Sequence, residues 1–160
     1  FGERDGKPSA RGDRFKALAD RGGFDVNLTN RIDTAIWLKF IMLTAVSGVT
    51  AVTRLPVGKL RDDPDIVALF EAVMRETEAI GRARGVDLPG DAVEQRMKLI
   101  LDGPPGVMAS MAHDLLRGNR LELPWLAGKI VALGREYGIP TPANATIFAA
   151  LKPYANGRPQ

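Results

Sequence analysis

From Asp33 to Leu55 the chain reads DTAIWLKFIMLTAVSGVTAVTRL, and Ile36, Trp37, Phe40, Ile41, Leu43 and Val46 leave almost no polar face on a helix. A helix that is apolar nearly all round is a buried one, so the pattern predicts a central core helix with the rest of the chain packed around it. Fourteen uncharged residues separate Lys39 from Arg54, fewer than the roughly 20 that a membrane span needs. Lys39 breaks the pattern. Its ammonium either reaches water along an apolar stem or is held in a pocket where its charge is used.

Downstream, every apolar repeat has helical spacing. Leu55-Pro56-Val57-Gly58 breaks the central helix. Asp63-Pro64-Asp65 then supplies an N-cap, a proline for the first helical position and a first-turn acid. Ile66, Leu69, Phe70, Val73, Thr77 and Ile80 form the stripe of that helix, which Gly85 should close in the left-handed region. Asp91 with Glu94 resembles a capping box for a helix ending at Leu101. After the breaker Asp102-Gly103-Pro104-Pro105-Gly106 a helix VMASMAHDLLR is predicted, ending at Gly118. Pro124 opens the next, with Trp125, Leu126, Ile130, Val131 and Leu133 apolar, and Thr141-Pro142 caps a last helix carrying Ile147, Phe148 and Leu151. Asn156–Gln160 reads as a frayed tail. Residues 30–155 thus form a mainly α domain of about six helices.

The first 29 residues differ. A short helix over Arg14–Arg21 and an alternating Phe24, Val26, Leu28 strand make an orphan β/α scrap with nothing in the chain to complete a sheet. Together with a first residue, Phe1, that is not Met, this suggests the tail of a domain lying outside the sequence.

Composition adds exclusions. Hydrophobic residues make up 45% and charged residues 26%, as in ordinary soluble proteins. A net charge of +3, with 22 basic residues scattered among 19 acidic ones, gives no footprint for nucleic acid. There is no signal-peptide pattern. The absence of cysteine excludes disulfides and thiolate metal sites and is neutral to mildly favourable for a reducing compartment. A single histidine, His113, leaves no metal signature. Its neighbours Ser110 and Asp114 suggest a triad, but three side chains within two turns of one helix do not converge on an oxyanion site. Ser110 and Asp114, four apart, share a face and could equally hydrogen-bond locally. Glu122, in RLELPW, reads as a first-turn acid near a positive helix end, and Trp37 and Trp125 read as core aromatics. Gly81-Arg-Ala-Arg-Gly85 ends a helix, where a dinucleotide fingerprint would open one.

Taken in order, Trp37-Leu38-Lys39 on a long apolar helix, Ser110-Met111-x-x-Asp114, Glu122, Gly128 and Gly138-Ile139-Pro140-Thr141-Pro142-Ala143-Asn144 resemble the helical C-terminal domain of the ketopantoate reductase (2-dehydropantoate 2-reductase) family. Phe1-Gly2-Glu3-x-x-Gly6 resembles the last part of that family's cofactor domain. The resemblance implies a multi-helix fold of the 6-phosphogluconate-dehydrogenase-like type, with residues 1–29 as the tail of a truncated Rossmann domain and NADPH bound mainly by the missing part. It puts the family's catalytic lysine at Lys39, substrate-binding positions at Ser110 and Ser47, the cofactor-contacting acid at Glu122 and a supporting position at Asp114. It implies reduction of a small 2-oxo acid in pantothenate biosynthesis, inactivity of this chain alone, a cytoplasmic location and no membrane or nucleic-acid partner. A homodimer through the helical domain is open to it. One departure stands out: family asparagines fall at Leu43, Ser47 and Val57 here, which makes the lysine's face more apolar. Two rival readings follow, a helical dimerisation or interaction module and a family member that reduces a different 2-oxo acid or ketone.

Overall fold

Helix α2 (Ile32–Thr53) is the axis of the computed structural model, which describes residues 1–159. It follows α1 (Ala10–Arg21) and is itself followed by α3 (Pro64–Ala83), α4 (Ala92–Leu101), α5 (Ser110–Arg117), α6 (Ala127–Tyr137) and α7 (Pro142–Leu151). Helices α3, α4, α5 and α7 pack directly on α2, and α6 packs on α3 and α7. The mainly helical domain read from the sequence is therefore the one observed.

Burial along α2 explains its place. Ile41, Ala45, Val49 and Ala51 are completely buried, each larger side chain among them contributing about 1.5–3 kcal/mol by leaving water. The hydroxyls of Thr44, Thr50 and Thr53 donate to the carbonyls of Phe40, Val46 and Val49 at 2.7–2.8 Å. These polar residues thereby enter a core helix without unpaired groups. Gly48 lets α7 approach: a Cβ there would stand 3.1 Å from Ile147 Cδ1 and Cγ2. By length and composition α2 could cross a membrane, but half of its most apolar stretch is buried under its neighbours, as a core helix requires.

Several helix ends use the predicted chemistry. The Asp63 carboxylate accepts from the amides of Asp65 (2.9 Å) and Ile66 (3.3 Å), and Gly85, Gly118 and Gly138 are all left-handed. Others do not. Asp91 makes no capping bond: it accepts from Gln95 Nε2 (2.8 Å), while Glu94 pairs with Arg75 across to α3 (2.6 Å). Thr141 does not cap α7 with its side chain. The carboxylate of Glu76 on α3 does so instead, accepting from the amides of Ala143 (2.7 Å) and Asn144 (2.9 Å) and from Asn144 Nδ2 (2.7 Å). The helix predicted from Val107 starts only at Ser110, because Val107 and Ala109 bond elsewhere. The Val107 carbonyl accepts from Val57 N (2.9 Å), and Ala109 N donates to Thr50 Oγ1 (3.4 Å).

Trp125 is not a core residue. It lies in a 3-10 turn, Leu123–Trp125, is 58% exposed, and carries the Arg120 guanidinium 5.3 Å above its ring. Trp37 is half-buried against Gly81 of α3 and meets Phe40 edge-on at 5.6 Å. Asn156 forms an antiparallel bridge with Arg120; Gln160, the end of the segment read as frayed, lies outside the described residues.

Phe24, Val26 and Leu28 form no strand. What exists is one pair of bonds, Phe1 N to the Asn27 carbonyl (2.8 Å) and Thr29 N to the Phe1 carbonyl (2.9 Å). A residue bonded to both neighbours of its opposite number, here Leu28, is the parallel pairing pattern, and two bonds are too few to build a ladder. Helix α1 is the crossover between them. Ser9 caps it, accepting from Gly12 N (3.1 Å), and the Glu3 carboxylate takes both Ser9 Oγ (2.6 Å) and the Arg11 guanidinium. The Arg11 guanidinium first, and the Ser9 hydroxyl second, hold Glu3 down at about 2.

Candidate active site

The N-terminal half of α2 has an open face. Ile36 is 49% exposed and Leu43 38%, and Lys39 between them is exposed too. Spacings of three and four put these side chains in one stripe. Ile36 and Leu43, read from the sequence as part of an all-round buried helix, are therefore outward-facing. Among the described residues no carboxylate lies within ion-pairing distance of Lys39. Its ammonium projects unpaired from an otherwise hydrocarbon strip.

Ser110 reaches the same side of α2 through the loop that precedes it. The Pro105 carbonyl accepts from Gly58 N (2.8 Å), then Val107 bonds Val57, then Ala109 bonds Thr50, so the loop climbs α2 from its C-terminal end. Thr50, whose Oγ1 donates to the Val46 carbonyl, is about three turns, or roughly 16 Å, along α2 from Lys39. Leu43 lies between. Ser110 is exposed at the start of α5, while Met111, Ala112 and Leu115 of the same helix are buried.

Asp114 is tied to the end of α5. Its carboxylate accepts from Asn119 Nδ2 (3.0 Å) and its carbonyl from Asn119 N (2.8 Å), while Gly118 N donates to the Leu115 carbonyl (3.1 Å). Those two backbone bonds around a left-handed glycine (φ 75°) form a Schellman closure. Asp114 thus orders the helix that carries Ser110. His113 is exposed and bonds to neither Ser110 nor Asp114, so the three residues form no triad.

Glu122 stands on the α5–α6 connection between Leu121 and Leu123, which are 1% and 0% exposed. The two leucines pin its backbone, and its exposed carboxylate has no hydrogen-bond or ion-pair partner among the described residues. No hydrogen bond links it to Lys39 or Ser110 within this chain. Ser47 is placed otherwise. At 1% exposure it continues the Lys39–Leu43 row one turn farther along α2, where the helix is covered by its neighbours. Val57, another position read as facing the lysine, is also buried (2%), in the 3-10 turn after α2.

Comparison with known proteins gives a consistent result. The family model described as "Ketopantoate reductase PanE/ApbA C terminal" matches residues 31–155. A 2-dehydropantoate 2-reductase from Caulobacter vibrioides is 31% identical over 140 residues, covering 88% of this chain and 48% of its own length. The PanE/ApbA family ketopantoate reductase structure from Ralstonia eutropha superposes with a TM-score of 0.84 at 34% identity, over 92% of this chain and 49% of that one. A dimeric ketopantoate reductase from Staphylococcus aureus gives 0.84 at 25% identity, over 93% and 52%. The chain spans about half the length of the curated relatives it matches. It belongs to the ketopantoate reductase family and forms that family's helical C-terminal domain.

Proposed function

We propose that this member of the ketopantoate reductase family is the substrate-binding half of an NADPH-dependent 2-oxo acid reductase of the 2-dehydropantoate 2-reductase type. The observation that carries the reading is Lys39, an unpaired ammonium on the open, otherwise apolar face of α2, with the exposed hydroxyl of Ser110 at the start of α5, which is anchored farther along the same helix at Thr50. A charge surrounded by hydrocarbon is costly to desolvate unless it is used.

Reduced nicotinamide, when bound, supplies the hydride that adds to the carbonyl carbon. As the C=O π pair moves onto oxygen, the Lys39 ammonium stabilises the growing alkoxide and donates its proton, leaving a 2-hydroxy acid. Lys39 regains the proton from water. Ser110 Oγ donates to the substrate carboxylate, and Asp114 keeps its helix in register. The free carboxylate of Glu122 suits one end of the cofactor, where it accepts from a ribose hydroxyl. None of the helices opens on a glycine-rich phosphate turn among the described residues, so the pyrophosphate is assigned to a preceding Rossmann domain. Residues 1–29 are read as the last βα unit of that domain. The parallel bonding of Phe1 around Leu28, with α1 as crossover, supports this, as do structural matches that cover more of the chain than the family model does. A cytoplasmic location and a homodimer complete the proposal.

The test is steady-state 2-oxo acid reduction by the complete enzyme carrying Lys39→Met, which keeps most of the stem and removes the charge. The expected result is a fall in kcat/KM of about 10²–10⁴-fold with thermal stability nearly unchanged. A folded variant with wild-type turnover would make Lys39 a snorkelling surface residue.

A further inference from the structure

The stripe that presents Lys39 also limits what can lie beside it. On the open side of α2 its neighbours are Ile36 and Leu43, both exposed hydrocarbon. Of the nearby hydroxyls on the same helix, Thr44 and Thr50 are buried and donate to the carbonyls of Phe40 and Val46, and Ser47, one turn beyond Leu43, is 1% exposed. Lys39 is thus the one exposed polar residue of α2 between Ile36 and Ala51. We infer that the wall selects 2-oxo acids whose side chain is pure hydrocarbon, and that Leu43 sets this preference.

The inference rests on the reading of Lys39 as the group that meets the substrate carbonyl. With the carbonyl oxygen at the ammonium and the carboxylate toward Ser110, the substrate's remaining carbons lie along Leu43 or Ile36. A methyl group there removes water from apolar surface on both sides. A hydroxyl there gives up its water and finds no exposed partner on α2 other than Lys39, which is engaged by the carbonyl oxygen, and a buried polar group left unpaired is disfavoured.

The discriminating pair is 3,3-dimethyl-2-oxobutanoate and its 4-hydroxy derivative, 2-dehydropantoate, which differ by one oxygen. The reaction at carbon 2 is the same in both. The carbonyl carbon accepts a hydride from reduced nicotinamide, the oxygen accepts a proton from Lys39, and the products are a 2-hydroxy acid and oxidised nicotinamide. Any difference between the two therefore reports on the side chain.

In the complete enzyme with NADPH, kcat/KM for the hydrocarbon acid should exceed that for 2-dehydropantoate by about 10- to 100-fold, the range in which an apolar pocket rejects an added hydroxyl. Calorimetric titration of each acid into enzyme saturated with oxidised cofactor should show the same order in Kd. Leu43→Asn, which places an amide one turn from Lys39, should narrow the ratio about tenfold or more, and Leu43→Val should keep it. The Val variant also checks that the position tolerates change. Equal efficiency with both acids, or a preference for 2-dehydropantoate, in the unsubstituted enzyme would overturn the inference while leaving Lys39 in its role. Failure to bind or reduce either acid would instead overturn the placing of the substrate at Lys39, and the inference with it.

Discussion

Replacing Glu76 by alanine should destabilise the helical domain by about 3 kcal/mol, because one carboxylate closes α7 from a different helix. It accepts two first-turn amides of α7, from Ala143 and Asn144, and the side-chain amide of Asn144. Two orphaned capping donors cost about 1 kcal/mol each. Asn144 is completely buried and its Oδ1 already has no partner, so a freed Nδ2, left with only the long 3.4 Å bond to the Val73 carbonyl, adds about 1 kcal/mol more. Glu76→Gln keeps one acceptor oxygen without the charge and should cost about 1 kcal/mol. For a chain of this length the Ala variant should melt about 6–12 °C lower. The assay is urea and thermal unfolding of the wild-type, Ala and Gln chains, followed by circular dichroism. An Ala variant within about 0.5 kcal/mol of wild type, the range of ordinary surface changes, would show that Glu76 does not hold α7.

The Glu3 clamp is an acid-sensitive element. Glu3 is held at about 2, below its ordinary value of 4.5, so the clamp's stabilising effect is complete above that ordinary value and is lost as pH falls toward 2. The ¹³C shift of the Glu3 carboxyl should titrate near pH 2, and a midpoint within about half a unit of the ordinary carboxylate value would refute the clamp. The chain alone should not bind NADPH tightly. Fluorescence titration showing micromolar affinity with selectivity for the 2′-phosphate would place the pyrophosphate site within these residues and overturn the division of labour proposed above.

Local chemistry made much of the fold legible. Asp63-Pro64 opens α3 as its residue types predict, and Gly85, Gly118 and Gly138 take the left-handed conformation after α3, α5 and α6. The order of Lys39, Ser110, Asp114 and Glu122 was enough to identify the family. The failures lie where a distant residue outcompetes a local one. Thr141 is a reasonable cap by type, but α7 is capped by an acid 67 and 68 positions before the two amides it accepts from, which no local window contains. Val107–Ala109 favour a helix on their own, yet Val57 and Thr50 engage their backbone and delay α5. Trp125 suggests a core because tryptophan is usually buried. Here the 3-10 turn at Pro124 rotates it outward, and Arg120 covers its face.

The open stripe of α2 was the least visible feature, although the signal was present. Averaged over its length the helix is apolar on all sides, and from that average Ile36 and Leu43 belong in a core. Burial is not uniform along it: from Thr44 to Ala51 every residue is buried, while Ile36, Lys39 and Leu43 are exposed. The lysine marks the boundary. A lysine is almost never fully buried without a partner, and residues three before and four after it must share its outlook on a helix. Lys39 therefore dictates that Ile36 and Leu43 face outward with it, whatever their hydrophobicity. Hydrocarbon forced outward beside an unpaired charge is poorly suited to bulk water and well suited to a small, partly apolar anion. That same geometric constraint ties the position of the proposed proton donor to the selectivity proposed for Leu43.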